Sequence, residues 1–354
     1  MDTQSIWQSS ARLADGREII DIDEAPGSGR AQVPDTRPLP PRAPGPQLPH
    51  GRSEWGTRWD PLAGEWVVIA AARQDRTFLP PPDQCPLDPS KPGHVTEIPA
   101  GSYDVVVFEN RFPSLAEPLG RCEVVCFTSD HSSSFAALTP RRVRTVLEAW
   151  ADRTRALSAL PGTRQVYCFE NRGEEIGVTL HHPHGQIYAF PFVAPRLDRM
   201  VAQAAAYQDG NLFDDLVAGE LAAGARIVTR NGHWIAFVPQ AARWPYEVRI
   251  FPVLRVPDLP ALDSAAREAF GALYLDVLRR FNALFGQPAP YIAAWHQAPV
   301  GDDEARARFA AHLQVLSVRR AAGKLKYLAG TESGMGVWIN DIVPEEAAQR
   351  LREA

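Results

Sequence analysis

The sequence predicts an α+β protein with two halves, each an antiparallel β-sheet with flanking helices. Short runs rich in β-branched and aromatic residues recur in both halves, which is typical of strands. Each half also holds one long segment with helical apolar spacing, starting at Thr139-Pro140 and at Asp263-Ser264. A length of 354 residues is enough for two such domains.

Two helix starts and a series of apolar runs define the predicted elements. Thr139 is a good N-cap and Pro140 suits a first helical turn, so a helix is expected to begin there. Asp263-Ser264 is expected to open the long helix of the second half. Strands are predicted at 65–70, 103–108, 121–127, 164–169, 186–192, 226–229, 233–238, 246–251, 291–295, 312–318 and 324–328, and further helices at 197–207 and 344–352.

The N-terminal segment differs from the rest in composition. Residues 1–53 are rich in proline, glycine, aspartate and arginine and lack clear periodicity. They predict an extended or disordered extension, with the folded part beginning near Trp55. The predicted domains are then 54–195, which carries the motifs below, and 196–354.

Composition excludes several function classes. A net charge of −5 and the absence of a Lys/Arg run argue against a nucleic-acid partner. No apolar stretch has membrane-spanning length, and the N-terminus lacks the pattern of a secretory signal. Four cysteines are few for this length, which favours a reducing, cytoplasmic location.

The run from His181 to Gln186 holds three of the nine histidines. Pro183 favours extended backbone before it, and side chains alternate in an extended segment. His182, His184 and Gln186 are therefore predicted to share a face, which would combine a nucleophile, a metal ligand and a hydrogen-bond donor.

Two motifs together resemble the galactose-1-phosphate uridylyltransferase family, a branch of the histidine-triad (HIT) superfamily. They are Phe169-Glu-Asn-Arg-Gly173 and His182-Pro-His-Gly-Gln186. Weaker landmarks of the family follow in order at 60–66, 129–131, 244–247 and 295–296. The resemblance implies two HIT-like halves and transfer of UMP from UDP-glucose to galactose 1-phosphate, releasing glucose 1-phosphate. It also implies a homodimer whose active sites borrow residues across the interface.

The resemblance assigns roles to individual residues. His184 would be the nucleophile that carries a uridylyl group, with its other nitrogen bound to the carbonyl of His182, and Gln186 would donate to a phosphate oxygen. For the arginines the alternative is a surface charge, and for the asparagines a turn. The implied substrate-binding residues are Arg73, Arg76, Asn110, Asn171, Thr179, Lys326 and Glu332.

The family also implies a structural zinc. The matching ligands are Cys85, Asp88, His131 and His182, with aspartate replacing a second cysteine. Zinc accepts all three ligand types, although a carboxylate in place of a thiolate should weaken binding. In the alternative interpretation Cys85 and Asp88 are ordinary loop residues.

The second metal site of the family is predicted to be empty. His296 and His312 match two of its four ligands, whereas Gln314 and Met200 stand at or near the other two. Two ligands of four are too few, so both histidines are expected to make hydrogen bonds instead.

Three other functions remain open. An ADP-sugar or dinucleoside polyphosphate phosphorylase or adenylyltransferase would use the same histidine with a different base. A non-catalytic nucleotide- or zinc-binding protein would not need His184 and Gln186. A zinc hydrolase would need a catalytic zinc, and the His-Glu-x-x-His spacing is absent from the sequence.

Overall fold

The computed structural model describes residues 6–25, 35–40, 56–70, 73, 78–117 and 120–354. These ranges form fifteen strands and six α-helices. The strands are β1 (Trp7–Arg12), β2 (Glu18–Asp23), β3 (Thr57–Asp60), β4 (Glu65–Val68), β5 (Val105–Glu109), β6 (Arg121–Cys126), β7 (Gln165–Arg172), β8 (His184–Phe190), β9 (Ile227–Arg230), β10 (Trp234–Phe237), β11 (Tyr246–Pro252), β12 (Tyr291–His296), β13 (His312–Ser317), β14 (Arg319–Ala321) and β15 (Lys324–Leu325). The helices are α1 (Pro140–Ser158), α2 (Pro195–Ala206), α3 (Leu212–Ala223), α4 (Ser264–Ala283), α5 (Asp303–Arg308) and α6 (Pro344–Glu353).

Eleven strands form one antiparallel sheet in the order β1-β2-β5-β6-β8-β7-β12-β13-β11-β10-β9. The two predicted sheets are therefore continuous. They join where β7 pairs with β12, for example at Glu170 opposite Ala293. This pairing satisfies the backbone groups of two strands that would otherwise be open edges. It also places the motif-bearing strands β8 and β7 near the middle of the sheet, where both neighbours fix their register.

Helices α1 and α4 pack together against one face of the sheet. Both predicted starts are confirmed: Thr139 accepts a hydrogen bond from Arg142 N, and Asp263 accepts one from Ala266 N at 2.7 Å. The core between helices and sheet includes the buried rings of Trp150 and Trp295. This core spans both halves and fixes the joint between them.

The predicted N-terminal boundary is wrong for the part of 1–53 that the structure describes. β1 and β2 form a hairpin, and β2 continues the main sheet by pairing with β5, with Ile19 opposite Phe108. Ile20 and Ile22 enter the α1 core, whereas Ile19 joins an apolar cluster on the opposite face. Because β2 is buried on both faces, its sequence lacks the alternation of apolar and polar residues that marks a surface strand. The prediction therefore followed the composition of the whole segment. Residues 1–5, 26–34 and 41–53 of this segment lie outside the described ranges.

The opposite face of the second half is covered by α2, which was predicted, and by α3 and α5, which were not. α3 begins after Asn211, whose side chain accepts from the backbone N–H groups of Phe213 and Asp214. Phe213 packs against Phe251 of the sheet and Phe309, which follows α5. α5 has only six residues and gives little periodic signal, whereas the helical apolar spacing of Leu212, Phe213, Leu216 and Val217 in α3 was overlooked. The strand predicted at 324–328 is shorter than expected, because β15 ends at Leu325.

Candidate active site

The strand β8 places His184 and Gln186 on the wall of one cleft. It pairs with β6 and β7 on its two sides, with His184 opposite Cys126 and Gln186 opposite Phe169. Between them, Gly185 has no room for a side chain. A Cβ there would lie 2.8 Å from both the Phe127 ring and the Phe169 carbonyl oxygen. The glycine thus permits the close strand approach that aims its two neighbours into the cleft.

A backbone hydrogen bond defines the tautomer of His184. Its Nδ1 lies 2.7 Å from the carbonyl oxygen of His182, so Nδ1 carries the proton and donates it there. Nε2 is then the nitrogen with a free lone pair. Burial lowers the pKa of His184 to about 4, although the His182 carbonyl opposes this shift. The ring is therefore neutral near pH 7, as a nitrogen nucleophile requires.

Gln186 is oriented by a chain of side chains. The Tyr188 hydroxyl donates to Gln186 Oε1 at 3.0 Å and accepts from Arg73 Nη1 at 3.0 Å. Arg73 also donates to the hydroxyl of Ser114 at 2.8 Å. Because Oε1 of Gln186 is engaged, its amide NH₂ group is the part left to donate to a ligand.

Several predicted substrate residues line the same cleft as His184. They include Asn110, Asn171, Thr179 and Arg73. Asn110 also fits the turn interpretation, because its Oδ1 accepts from Phe112 N at 2.8 Å. The remaining arginine of the prediction, Arg76, falls outside the residues that the structure describes.

Two predicted residues lie apart from this cleft. Lys326 donates to Glu332 Oε1 at 3.0 Å, and Glu332 also accepts from Thr331. The Lys326 ammonium holds the pKa of the Glu332 carboxyl down at about 2. Neither side chain is among those lining the His184 cleft.

The side chain of His182 belongs to a second site beside the cleft. One ligand atom each from Cys85, Asp88, His131 and His182 gather within 4.8 Å of one another. The Asp88 Oδ1 atom lies 2.8 Å from His131 Nδ1 and 2.9 Å from His182 Nδ1. The prediction that His182 shares a face with His184 and Gln186 is therefore only partly right, because His182 does not line their cleft.

This cluster has the donor set and the supporting contacts of a metal site. His182 Nε2 lies 2.8 Å from both the Thr128 carbonyl oxygen and the Tyr103 hydroxyl, which leaves Nδ1 turned toward the other ligands. Burial raises the pKa of the Cys85 thiol to about 11, so a bound metal must displace its proton. One sulfur, one carboxylate and two imidazoles suit a divalent cation.

The cleft wall also contains two charged residues that sequence analysis did not single out. Glu97 and Arg111 line the cleft with His184, and Arg111 Nη1 lies 3.2 Å from Glu97 Oε1. Arg111 directly follows Asn110, so its neighbour in the sequence could have drawn attention to it. Glu97 carries no comparable signal.

In the second half, the residues that match the family's second metal site make hydrogen bonds. His296 Nε2 lies 3.1 Å from Gln314 Oε1, and Gln314 donates to Glu247 at 2.6 Å. His312 Nδ1 donates to the Ala310 carbonyl at 2.9 Å. Met200 packs in the apolar cluster under α2 and α3. The emptiness of this second site stays a prediction.

Family models cover most of the chain. The N-terminal domain of galactose-1-phosphate uridyl transferase matches residues 115–194, and its C-terminal domain matches residues 198–354. The chain belongs to the galactose-1-phosphate uridylyltransferase family. Within this family, a galactose-1-phosphate uridylyltransferase of Streptomyces lividans is 50% identical, over 98% of this chain and 97% of the relative. The Thermotoga maritima protein of the same name is 36% identical, over 84% and 97%.

Solved structures agree with the uridylyltransferase family. A uridylyltransferase structure with 28% identity has a TM-score of 0.73 and covers 84% of this chain and 97% of its own. An ADP-glucose phosphorylase of Arabidopsis thaliana with bound ADP-glucose has 22% identity and a TM-score of 0.68, covering 84% and 98%, and shows likeness of fold alone. In the described part of the chain, the helices lack the length and apolarity needed to cross a bilayer.

Proposed function

We propose that this chain transfers UMP from UDP-glucose to galactose 1-phosphate and releases glucose 1-phosphate. The observation that carries the proposal is the placement of His184, whose Nδ1 donates to the His182 carbonyl while the ring lines a cleft with Gln186. The relatives named galactose-1-phosphate uridylyltransferase support the choice of substrates.

The reaction is a double displacement. Nε2 of His184 attacks the α-phosphorus of UDP-glucose, an N–P bond forms, and the bond to the oxygen of glucose 1-phosphate breaks with its electron pair on that oxygen. A phosphate oxygen of galactose 1-phosphate then attacks the same phosphorus, and the N–P electron pair returns to the ring. The Gln186 amide donates to a non-bridging oxygen where charge gathers, which is worth roughly 2–4 kcal/mol.

A substrate comparison tests the base and the acceptor. The enzyme is assayed with UDP-glucose plus galactose 1-phosphate and, separately, with ADP-glucose plus inorganic phosphate. We expect kcat/KM to be at least about 100-fold higher for the uridine pair. A site whose polar groups pair with one base leaves them unpaired with the other, and the transition state with the wrong base is then bound several kcal/mol more weakly. A preference for ADP-glucose and phosphate would contradict the proposal and favour a phosphorylase.

We propose that zinc occupies the cluster of Cys85, Asp88, His131 and His182 and has a structural role. When bound, zinc would hold these four side chains, and through His182 it would fix the carbonyl that orients His184. The donor set, with aspartate as the fourth ligand, fits a closed zinc site.

Metal removal should destabilise the protein. We expect a chelator to lower the thermal midpoint by several degrees, because binding to the folded state alone contributes stability. Asp88→Asn should lower the zinc content of purified protein, measured by elemental analysis, and reduce the chelator effect. Asp83→Asn, at an exposed position of the same loop, is the matched control and should change neither. Equal zinc in wild-type protein and Asp88→Asn would contradict this site.

We also propose a homodimer and a cytoplasmic location. The segment around the Lys326–Glu332 pair exposes large apolar side chains, among them Tyr327, Met335 and Val337. A second copy of the chain would cover these apolar side chains and would bring Lys326 and Glu332 toward the partner's cleft. The molecular mass in solution tests this proposal. The cysteines of the described residues are buried and unpaired, which suits a reducing compartment.

A further inference from the structure

The N-terminal hairpin reaches the candidate active site through one buried carboxylate. Glu97, which is 6% exposed, accepts from Arg17 Nη2 at 2.5 Å and contacts Arg111 Nη1 at 3.2 Å. Arg17 lies in the turn between β1 and β2, whereas Arg111 lines the same cleft as His184. We call Arg17, Glu97 and Arg111 the arginine–glutamate relay.

Arg17 is fixed on every side and lies away from the cleft wall. Its Nε donates to Asp15 Oδ2 at 2.7 Å, and its Nη1 donates to the Glu109 carbonyl oxygen at 2.8 Å. Its side chain is 1% exposed. Because these charged groups are buried together, each must keep its partner, and the side chain of Arg17 is held in one position. Arg17 is therefore suited to hold Glu97 and unsuited to contact a ligand itself.

The sharing of Glu97 leaves Arg111 with free donors. Because Arg17 occupies Oε2, only Oε1 remains for Arg111, and a two-pronged pairing between Arg111 and Glu97 is prevented. Arg111 Nε is buried and makes no hydrogen bond to any residue that the structure describes, and the ion pair with Glu97 involves Nη1. The guanidinium also lies over the Phe112 ring, 4.9 Å from its centre, which restricts its orientation. Arg111 is thus held at the cleft wall with unused N–H groups.

We propose that Arg111 binds an anionic oxygen of the substrate pyrophosphate, and that Arg17 is a positioning residue acting on it through Glu97. This inference rests on the proposed function, because it takes a nucleoside diphosphate sugar as the ligand of the cleft. A guanidinium with free donors matches phosphate oxygens in charge and geometry. The N-terminal hairpin thereby becomes part of the support of the active site.

Binding measurements on the full chain test the proposal. UDP affinity is measured by calorimetry, and uridine affinity by competition, for wild type, Arg111→Gln, Arg17→Gln and the double variant. We expect Arg111→Gln to weaken UDP binding by about 10- to 100-fold and to leave uridine binding unchanged, since only the diphosphate loses a charged hydrogen bond. Arg17→Gln should weaken UDP binding less, and the double variant should equal Arg111→Gln alone.

Two further variants separate positioning from folding. Arg12→Gln changes an exposed arginine of the same hairpin and should leave UDP affinity unchanged. Arg17→Lys keeps a cation beside Glu97 and should restore part of the affinity lost in Arg17→Gln, whereas an unrelated folding defect would lower the thermal midpoint and uridine binding together.

Three results would overturn the inference, in distinguishable ways. Equal UDP affinity of wild type and Arg111→Gln would show that Arg111 does not contact the pyrophosphate, and it would leave the proposed function intact. Additive losses from Arg17→Gln and Arg111→Gln would show that Arg17 does not act through the relay. A wild-type protein that binds neither UDP nor UDP-glucose would overturn the proposed function, and the inference with it.

Discussion

Replacing His184 by alanine is expected to reduce sugar-phosphate exchange by a factor on the order of 10⁴ or more. The reason is that covalent transfer requires a ring nitrogen at this position, and alanine offers no substitute nucleophile. Gln186 and the other cleft residues would remain and could still bind substrate. The loss should therefore appear in kcat, with substrate affinity largely kept. Exchange of the glucose 1-phosphate moiety between UDP-glucose and labelled glucose 1-phosphate measures it.

His181→Ala is the matched control for this variant. His181 belongs to the same histidine run, but its side chain is 51% exposed and pairs with Glu174 on the surface. We expect exchange within about twofold of wild type, because exposed pairs of this kind contribute little. If His184→Ala kept more than about a tenth of wild-type exchange, His184 would not be the nucleophile.

The second large effect concerns the pH dependence of stability and depends on Glu170. This carboxyl is 3% exposed on the helix-packed face of β7, and its Oε2 makes no hydrogen bond to the described residues. Burial raises its pKa from 4.5 to about 8, against the opposing effects of the nearby Tyr291 hydroxyl and Arg172 guanidinium. Near neutral pH, Glu170 is therefore mostly protonated in the folded protein.

The sign of the effect follows from proton binding. Below about pH 4.5 the carboxyl is protonated in both the folded and the unfolded chain, and Glu170 imposes no cost of ionisation. Between about 4.5 and about 8 only the unfolded chain releases the proton, so the free energy of unfolding falls as the pH rises. The total loss is at most about 5 kcal/mol, from 1.36 kcal/mol per pKa unit.

Glu170→Gln should remove this loss. We expect its thermal midpoint to exceed that of wild type by several degrees at pH 8.5, with a difference near zero at pH 4.5. Glu174→Gln, at an exposed position four residues away, should show no such dependence. Thermal unfolding of the three proteins across this pH range gives the comparison, and a constant difference between Glu170→Gln and wild type would refute the buried, protonated carboxyl.

The pair formed by His184 and Gln186 could be predicted because the two residues lie close together in the sequence. The alternation from His184 to Gln186 reflects one strand, β8. The set of Cys85, Asp88 and His131 came only from the family resemblance, because these residues are far apart in the sequence. Thr139 and Asp263 marked helix starts through local capping, which is also encoded nearby.

What sequence analysis missed depends on long-range contacts. Arg17, Glu97 and Arg111 come from separate segments, and only the folded sheet brings them together. The hairpin around Arg17 was hidden by the composition of the segment after it. Whether His182 faces the cleft or the metal cluster was decided by Asp88 and Thr128, not by alternation along β8.

The most direct test of the central claim is the intact mass of the protein after incubation with UDP-glucose alone. We predict that wild-type protein gains the mass of one uridylyl group, that peptide mapping places it on His184, and that galactose 1-phosphate removes it. His184→Ala should gain nothing. A wild-type protein that catalyses exchange without ever carrying this group on His184 would contradict the account.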